Sequence, residues 1–326
     1  MSSPLTLRGR LLRILVEWDW LALFLAAWVL PVAQEAVWPL TYFTSLMFWL
    51  VPALLLLPRF LAFTDPGGRR RKALFAGSLF LLLAGCALDF GFASRVFRFD
   101  GQPPEAYVGW IHVAALNIHI PVEEILFYAM SGVAVLFVYA WADEYWVAAY
   151  SPREARLALR PHDRLFRFSL MPFAAAAVGL GISIFMRSRL QPEAGVLPLY
   201  ATVLTFVGLV PAVVAYQSFG RFVNWRALGV VTLYVLVTSI VWEAGLAIPR
   251  RWWGFNWHEM IGLTLPLWNR DPAWPLPVEE VFLWLAGPLP CVLTYEGVKA
   301  RLYRRDPDKP TFVHPSLRDT ASERLR

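Results

Sequence analysis

The sequence is short of charge and of cysteine. Asp, Glu, Lys and Arg make up 17% of its 326 residues, against about 25% in an ordinary soluble domain. Two cysteines, Cys86 and Cys291, are too few for a disulfide framework or a cysteine-ligated zinc ribbon. They read as small apolar helix residues. Neither G-x-G-x-x-G nor a P-loop occurs, so no dinucleotide, nucleotide or flavin site is expected. His258-Glu259 opens like a zinc-protease helix, but the second histidine of H-E-x-x-H is missing. His112 and His119 stand seven residues apart, with too few companion ligands for a metal. No metal and no cofactor are expected. Long polar stretches are also scarce, which leaves little for a separate soluble domain.

What is present is hydrocarbon: 58% apolar residues, 15% aromatic, and a mean hydropathy of +0.49. A membrane-crossing helix needs about 20 mostly apolar residues. Eight such runs can be drawn, at 18–38, 41–63, 73–93, 121–148, 166–187, 194–218, 226–247 and 277–298. The first is interrupted near its ends by Asp19 and Glu35. No cleavable signal peptide is expected, because the run after Arg8, Arg10 and Arg13 merges into further spans. Eight spans place both termini on one side. That side then carries 23 of the 30 Lys and Arg residues and the other carries seven, which predicts cytoplasmic termini in a multi-pass protein of the cell membrane. The net charge of +6 is therefore read as an orientation signal, with the bilayer as partner and no nucleic acid.

One motif recurs. Pro121-Val122-Glu123-Glu124 returns 156 residues later as Pro277-Val278-Glu279-Glu280. Phe99-Asp100 stands at the same offset from Phe255-Asn256, and Asp89 lies 154 residues before Glu243 at the matching end of an earlier span. Repeats of this kind set architecture. Four spans per half give both halves one orientation, so the expected fold is an all-α integral membrane protein of about eight helices in two parallel four-helix repeats. The divisions are a basic N-terminus at 1–17, a first repeat at 18–150, a basic cytoplasmic linker at 151–165, a second repeat at 166–300 and a polar, disordered tail at 301–326.

Proline suits the first helical position, where its missing N–H is not needed, and it puts both glutamates in the first turn. Two readings stand side by side. Acids there complement the helix dipole, worth typically 0.3–1 kcal/mol each. Alternatively, acids among Ile120, Ile125, Leu126, Val281, Phe282 and Leu283 are functional sites within the membrane. Burial and like-charge crowding favour a retained proton on one carboxyl and leave another as base, the separation that acid–base catalysis uses. Asp89 and Glu243 are supporting acids or interfacial caps, and His119 is a supporting residue or a loop hydrogen-bonder. Phe99 and Trp110 precede the first motif; Trp252, Trp253, Phe255, Asn256, Trp257, Trp268 and Trp274 precede the second. These aromatics either form an interfacial belt or offer their faces to a cationic intermediate.

Two membrane repeats, each with an aromatic loop leading into a Pro-x-Glu-Glu helix, resemble the fused form of the heterodimeric-type lycopene cyclases, membrane enzymes of carotenoid biosynthesis. The resemblance covers roughly 18–300 and rests on the two Pro-Val-Glu-Glu motifs and on Trp252-Trp253-Gly254-Phe255-Asn256. It implies Glu123, Glu124, Glu279 and Glu280 as catalytic residues, a lycopene-like carotenoid as substrate, β-rings as product, and association with other enzymes of that pathway. The chain departs from the pattern at Arg98-Phe99-Asp100, where an aromatic–Asn pair is more usual, and in a loop stretched by Leu265 to Trp274. Cyclising a linear end group is an acid–base isomerisation without net redox: a terminal double bond is protonated, the cation is attacked by the next double bond, and a base removes a proton. Two alternatives stay open, an end-group hydratase in which water captures the cation, and a proton-coupled transporter. A glutamate-pair intramembrane protease is disfavoured, because neither glutamate pair is followed by the Glu-Glu-x-x-x-Arg arginine.

Overall fold

A computed structural model describes residues 29–35, 40–64, 68–114, 118–147, 169–265 and 274–305. The N-terminal segment 1–17, most of the expected first span, the linker 151–165, Trp268 and the tail beyond 305 lie outside the described residues. The described chain is mostly helical. A short helix α1 (Leu30–Glu35) precedes α2 (Tyr42–Thr64), which overlies the expected second span. Six further helices are long and apolar enough to cross a membrane: α3 (Arg69–Val96), α4 (Val122–Glu144), α5 (Met171–Leu190), α6 (Leu199–Phe222), α7 (Trp225–Ala247) and α8 (Val278–Leu302). Each lies where a run was drawn, with ends displaced by a few residues.

The helices are apolar on nearly every face because they pack on neighbours inside and meet lipid outside. Phe75, Leu83, Phe173, Ile182, Phe185, Phe206, Leu233 and Phe282 are all exposed, an outward apolar surface suited to a bilayer. The chain is membrane-embedded. At the centre, α4 lies against both α3 and α7, and α8 likewise touches both. Helix α2 packs on α4, α6 on α8, and α5 on α6.

The loops hold short strands that the expected all-helical reading did not include. Phe97–Arg98 (β1) pairs antiparallel with Gly254–Phe255 (β4), in the register Phe97 to Phe255 and Arg98 to Gly254. Trp110–Val113 (β2) and Ile118–Pro121 (β3) form a hairpin. The first pairing joins the two aromatic loops. A side chain at Gly254 would run into the Trp274 ring, so glycine lets the strands meet beneath that indole.

Far from the motif starts, the start of α3, the ends of α4 and α8 and the entry to α7 share a buried polar cluster. Lys299 Nζ lies 2.5 Å from Glu296 and 3.9 Å from Asp143, and Arg70 pairs with Glu144. Tyr139 donates to Glu296 (3.1 Å), and Asn224 Nδ2 donates to Asp143 (2.8 Å) while its Oδ1 caps α7. Removing one member of such a network leaves its partners buried and unpaired, at a cost of about 3–5 kcal/mol. Lys299→Met is accordingly expected to lower the unfolding midpoint in detergent sharply. An unchanged midpoint would show that the cluster is solvated.

Candidate functional site

Pro121 and Pro277 occupy the N-cap, one residue earlier than expected, with extended backbone at φ −64° and −75°. Each therefore hands its helix Val at the first position and the two glutamates immediately after. All four glutamates are buried, but the two of each pair do different things. The first turns back to the preceding loop: Glu123 Oε1 accepts from the Val108 N–H at 2.7 Å, and Glu279 Oε1 from the Ile261 N–H at 2.5 Å. The second faces a tyrosine: Tyr42 donates to Glu124 at 2.8 Å, and Tyr200 donates to Glu280.

One turn further along each helix, a second donor reaches an acid in the last third of a neighbouring helix. Tyr128 donates to Asp89 at 3.1 Å, and the Trp284 indole N–H donates to Glu243 at 2.9 Å. The two sets of contacts differ at one point: Glu243 borders the same small cavity as Glu280, whereas Asp89 does not border it. Two carboxyls crowded into so small a space favour a proton retained on one of them. Among the described residues Asp89 Oδ2, Glu123 Oε2 and Glu279 Oε2 have no hydrogen-bond partner, and buried orphans of this kind mark sites of chemistry or of bound water.

Glu124, Glu243 and Glu280 open on one cavity of about 30 Å³. Tyr42, Tyr128 and Tyr200 border it, and its other walls are aromatic, including Phe97, Phe99 and Trp253, except for Leu283. Glu243 lies in a stretch wound as a π-helix, Ile240–Ala247, a distortion frequent at functional sites.

The other expected residues take varied places. Trp252 stacks on Tyr42, with centroids 5.9 Å apart and planes 7° apart. Phe255 stacks on Tyr200 at 6.2 Å and meets Phe97 edge-on. Trp257 is partly buried against the same core, and the Asn256 N–H donates to the Val96 carbonyl at 2.8 Å. Trp110 and His119 stand apart from the acids. They line a loop cavity on the hairpin, where His119 is exposed and lies 4.3 Å from the Trp110 ring and 4.0 Å from His112. Glu259, beside His258, pairs with Arg95 at 2.8 Å. Among the described residues no group of three or more His, Cys, Asp or Glu is arranged to hold a metal ion.

Several participants had not been singled out from sequence: Tyr42, Tyr200, Tyr128, Trp284, Phe127 and Trp242, the last stacked on Phe127 at 5.4 Å. A signal for the first two existed. Pro39-Leu40-Thr41-Tyr42 and Pro198-Leu199-Tyr200 place the tyrosines 158 residues apart, close to the motif's own offset. In the loop, Tyr107 donates to the Trp252 carbonyl at 2.5 Å; its burial first, then nearby Glu124, pushes the phenol above its ordinary range, so it stays a donor.

Arg187 braces the loop that precedes the second motif. Buried near the end of α5, it donates to the carbonyls of Gly195, Met260 and His258 at 2.5, 2.5 and 2.6 Å. These bonds hold the turn whose Ile261 N–H binds Glu279. Charged hydrogen bonds contribute about 1.5–3 kcal/mol each. Arg187→Met is expected to loosen residues 257–261, seen as faster amide exchange there, while exchange in α4 stays unchanged. Compared with protein-family models, with curated proteins and with solved structures, the chain matches none.

Proposed function

We propose that this membrane protein is a carotenoid end-group cyclase of the fused lycopene cyclase type, built of eight spans in two parallel repeats with cytoplasmic termini. The observation that carries the proposal is the convergence of Glu124 and Glu280, from two Pro-Val-Glu-Glu helices, on one aromatic-walled cavity that also holds Glu243. Support for the duplicated layout comes from the doubling of contacts. Tyr42–Glu124, Val108–Glu123 and Tyr128–Asp89 have counterparts in Tyr200–Glu280, Ile261–Glu279 and Trp284–Glu243, at spacings near 156.

In this reading Glu280 and Glu243 hold one proton between them and deliver it to the terminal double bond of a linear ψ end group. The next double bond closes on the tertiary cation, and Glu124 takes the proton lost from the ring. Phe97, Phe99 and Trp253 turn aromatic faces to the positive charge, while an end group filling the site displaces the water that would trap it. The product is an isomer of the substrate, with no oxidant or reductant consumed.

Expression in a bacterial host that accumulates lycopene tests this. Lycopene is expected to give way to γ- or β-carotene on chromatography, and product formed in D2O is expected to gain one deuterium for each ring closed, because the donated proton comes from an exchangeable carboxyl. Unchanged lycopene beside folded protein in the membrane would overturn the reading for that substrate. The cavity volume also favours a second reading, since about 10–15 Å³ of such space suffices for a water. A hydratase would give a more polar tertiary alcohol, heavier than lycopene by one water.

A further inference from the structure

A groove of about 450 Å³ runs between α3, α5, α6 and α8, within the 300–1,000 Å³ usual for small-molecule sites. Leu81, Leu88, Ile182, Met186 and Phe282 give it hydrocarbon walls. Two glycines keep it open. A Cβ at Gly208 would meet nothing within 4 Å, and one at Gly179 would make only ordinary contacts at 3.6 Å or more with Leu209 and Thr205.

The inner wall of this groove contains Tyr128 and Leu283, and the same two side chains border the acid cavity from its other side. One layer of side chains therefore separates hydrocarbon space from Glu124, Glu243 and Glu280. The Tyr128 ring lies in that layer directly over Gly85, where any larger residue would run into it. The acid cavity, at about 30 Å³, holds a water or two and no isoprenoid end group. A hydrocarbon that reaches the carboxyls has to displace this layer.

The lining also says what enters. Among the described residues Glu279 is its one charged lining residue, and no Lys, Arg or His lines it. A phosphate headgroup finds no cationic partner there and meets a carboxyl instead. We infer that the groove binds a neutral isoprenoid hydrocarbon from the bilayer, and that displacement of Tyr128 and Leu283 joins groove to cavity so that the end of the chain meets Glu124 and Glu280. The inference rests on the carotenoid reading of the acid site.

Gly208→Trp fills the groove from a position with open space, and Gly181→Trp, on α5 outside the lining and also with nothing within 4 Å of its Cβ, is the control. Each variant in proteoliposomes is exposed to a diazirine-bearing polyisoprenoid hydrocarbon, irradiated and mapped by mass spectrometry, alongside lycopene conversion in cells. Labelling on α3, α5 and α8 is expected to fall about tenfold in Gly208→Trp and to persist in Gly181→Trp, with conversion following the same order. Gly179→Leu gives the same comparison if the tryptophan blocks folding. Full lycopene conversion in a folded groove-filled variant overturns the groove and leaves the cyclase reading intact. Groove-specific labelling without lycopene conversion in the parent protein overturns the cyclase reading for that substrate and upholds the isoprenoid site. Equal labelling of the groove by a diazirine phospholipid overturns the inference, since the groove is then ordinary lipid annulus.

Discussion

Replacing Glu280 with glutamine is expected to lower ring formation by about 10²–10⁴-fold, the range for loss of a general acid or base, and Glu124→Gln by a comparable factor. Glutamine keeps the shape and can still accept from Tyr200 or Tyr42, so the variants remove the transferable proton and little else. The adjacent glutamates give the contrast. In Glu279→Gln and Glu123→Gln the amide oxygen still accepts from the Ile261 or Val108 N–H, and the loss is expected to be only that of a weakened hydrogen bond, about 1 kcal/mol or severalfold. Pigment formed per unit of folded protein in membranes measures all four. Equal losses for Glu279→Gln and Glu280→Gln would refute the division of labour within the motif.

That division could not be read from the sequence, which shows two identical dipeptides. Legible there were the apolar runs, the doubled motif and the acids Asp89 and Glu243 at matching span ends, since each is a local pattern. What separates Glu279 from Glu280 is which neighbour each reaches, and those neighbours are distant in the chain: Tyr200 is 80 residues from Glu280, and Tyr42 is 82 from Glu124. A tyrosine near the start of a span looks like an interfacial anchor, and only the packing of α2 on α4 and of α6 on α8 turns it inward. Tyr128 and Trp284 were hidden for a different reason. Their i+4 relation to Glu124 and Glu280 is visible in sequence, but their acceptors lie on α3 and α7. His119 fell the other way, near the motif in sequence yet exposed on a hairpin that carries it off the cavity.

The inequality of Asp89 and Glu243 yields the second large effect. Glu243 borders the acid cavity beside Glu280, whereas Asp89 is bonded to Tyr128 and does not border it. Glu243→Gln puts an amide against Glu280. The amide can donate an N–H to that carboxyl, so geometry is kept while the shared acidic proton is gone, and a drop of about 10²-fold is expected. Asp89→Asn still accepts from Tyr128 through its carbonyl oxygen and is expected to cost no more than severalfold. If the Glu280–Glu243 pair is the donor, the Glu243 variant also changes which step limits the rate. Protonation of the double bond becomes slow, and the rate in H2O is expected to exceed that in D2O by more than it does for the parent protein, whereas Asp89→Asn leaves that ratio unchanged. The reverse ranking, with Asp89→Asn the more damaging and the more isotope-sensitive, would assign the donor to Glu124 with Asp89 and the base to Glu280. Equal and small effects from both would remove these two acids from the proton path and leave Glu124 and Glu280 to exchange protons through their tyrosines.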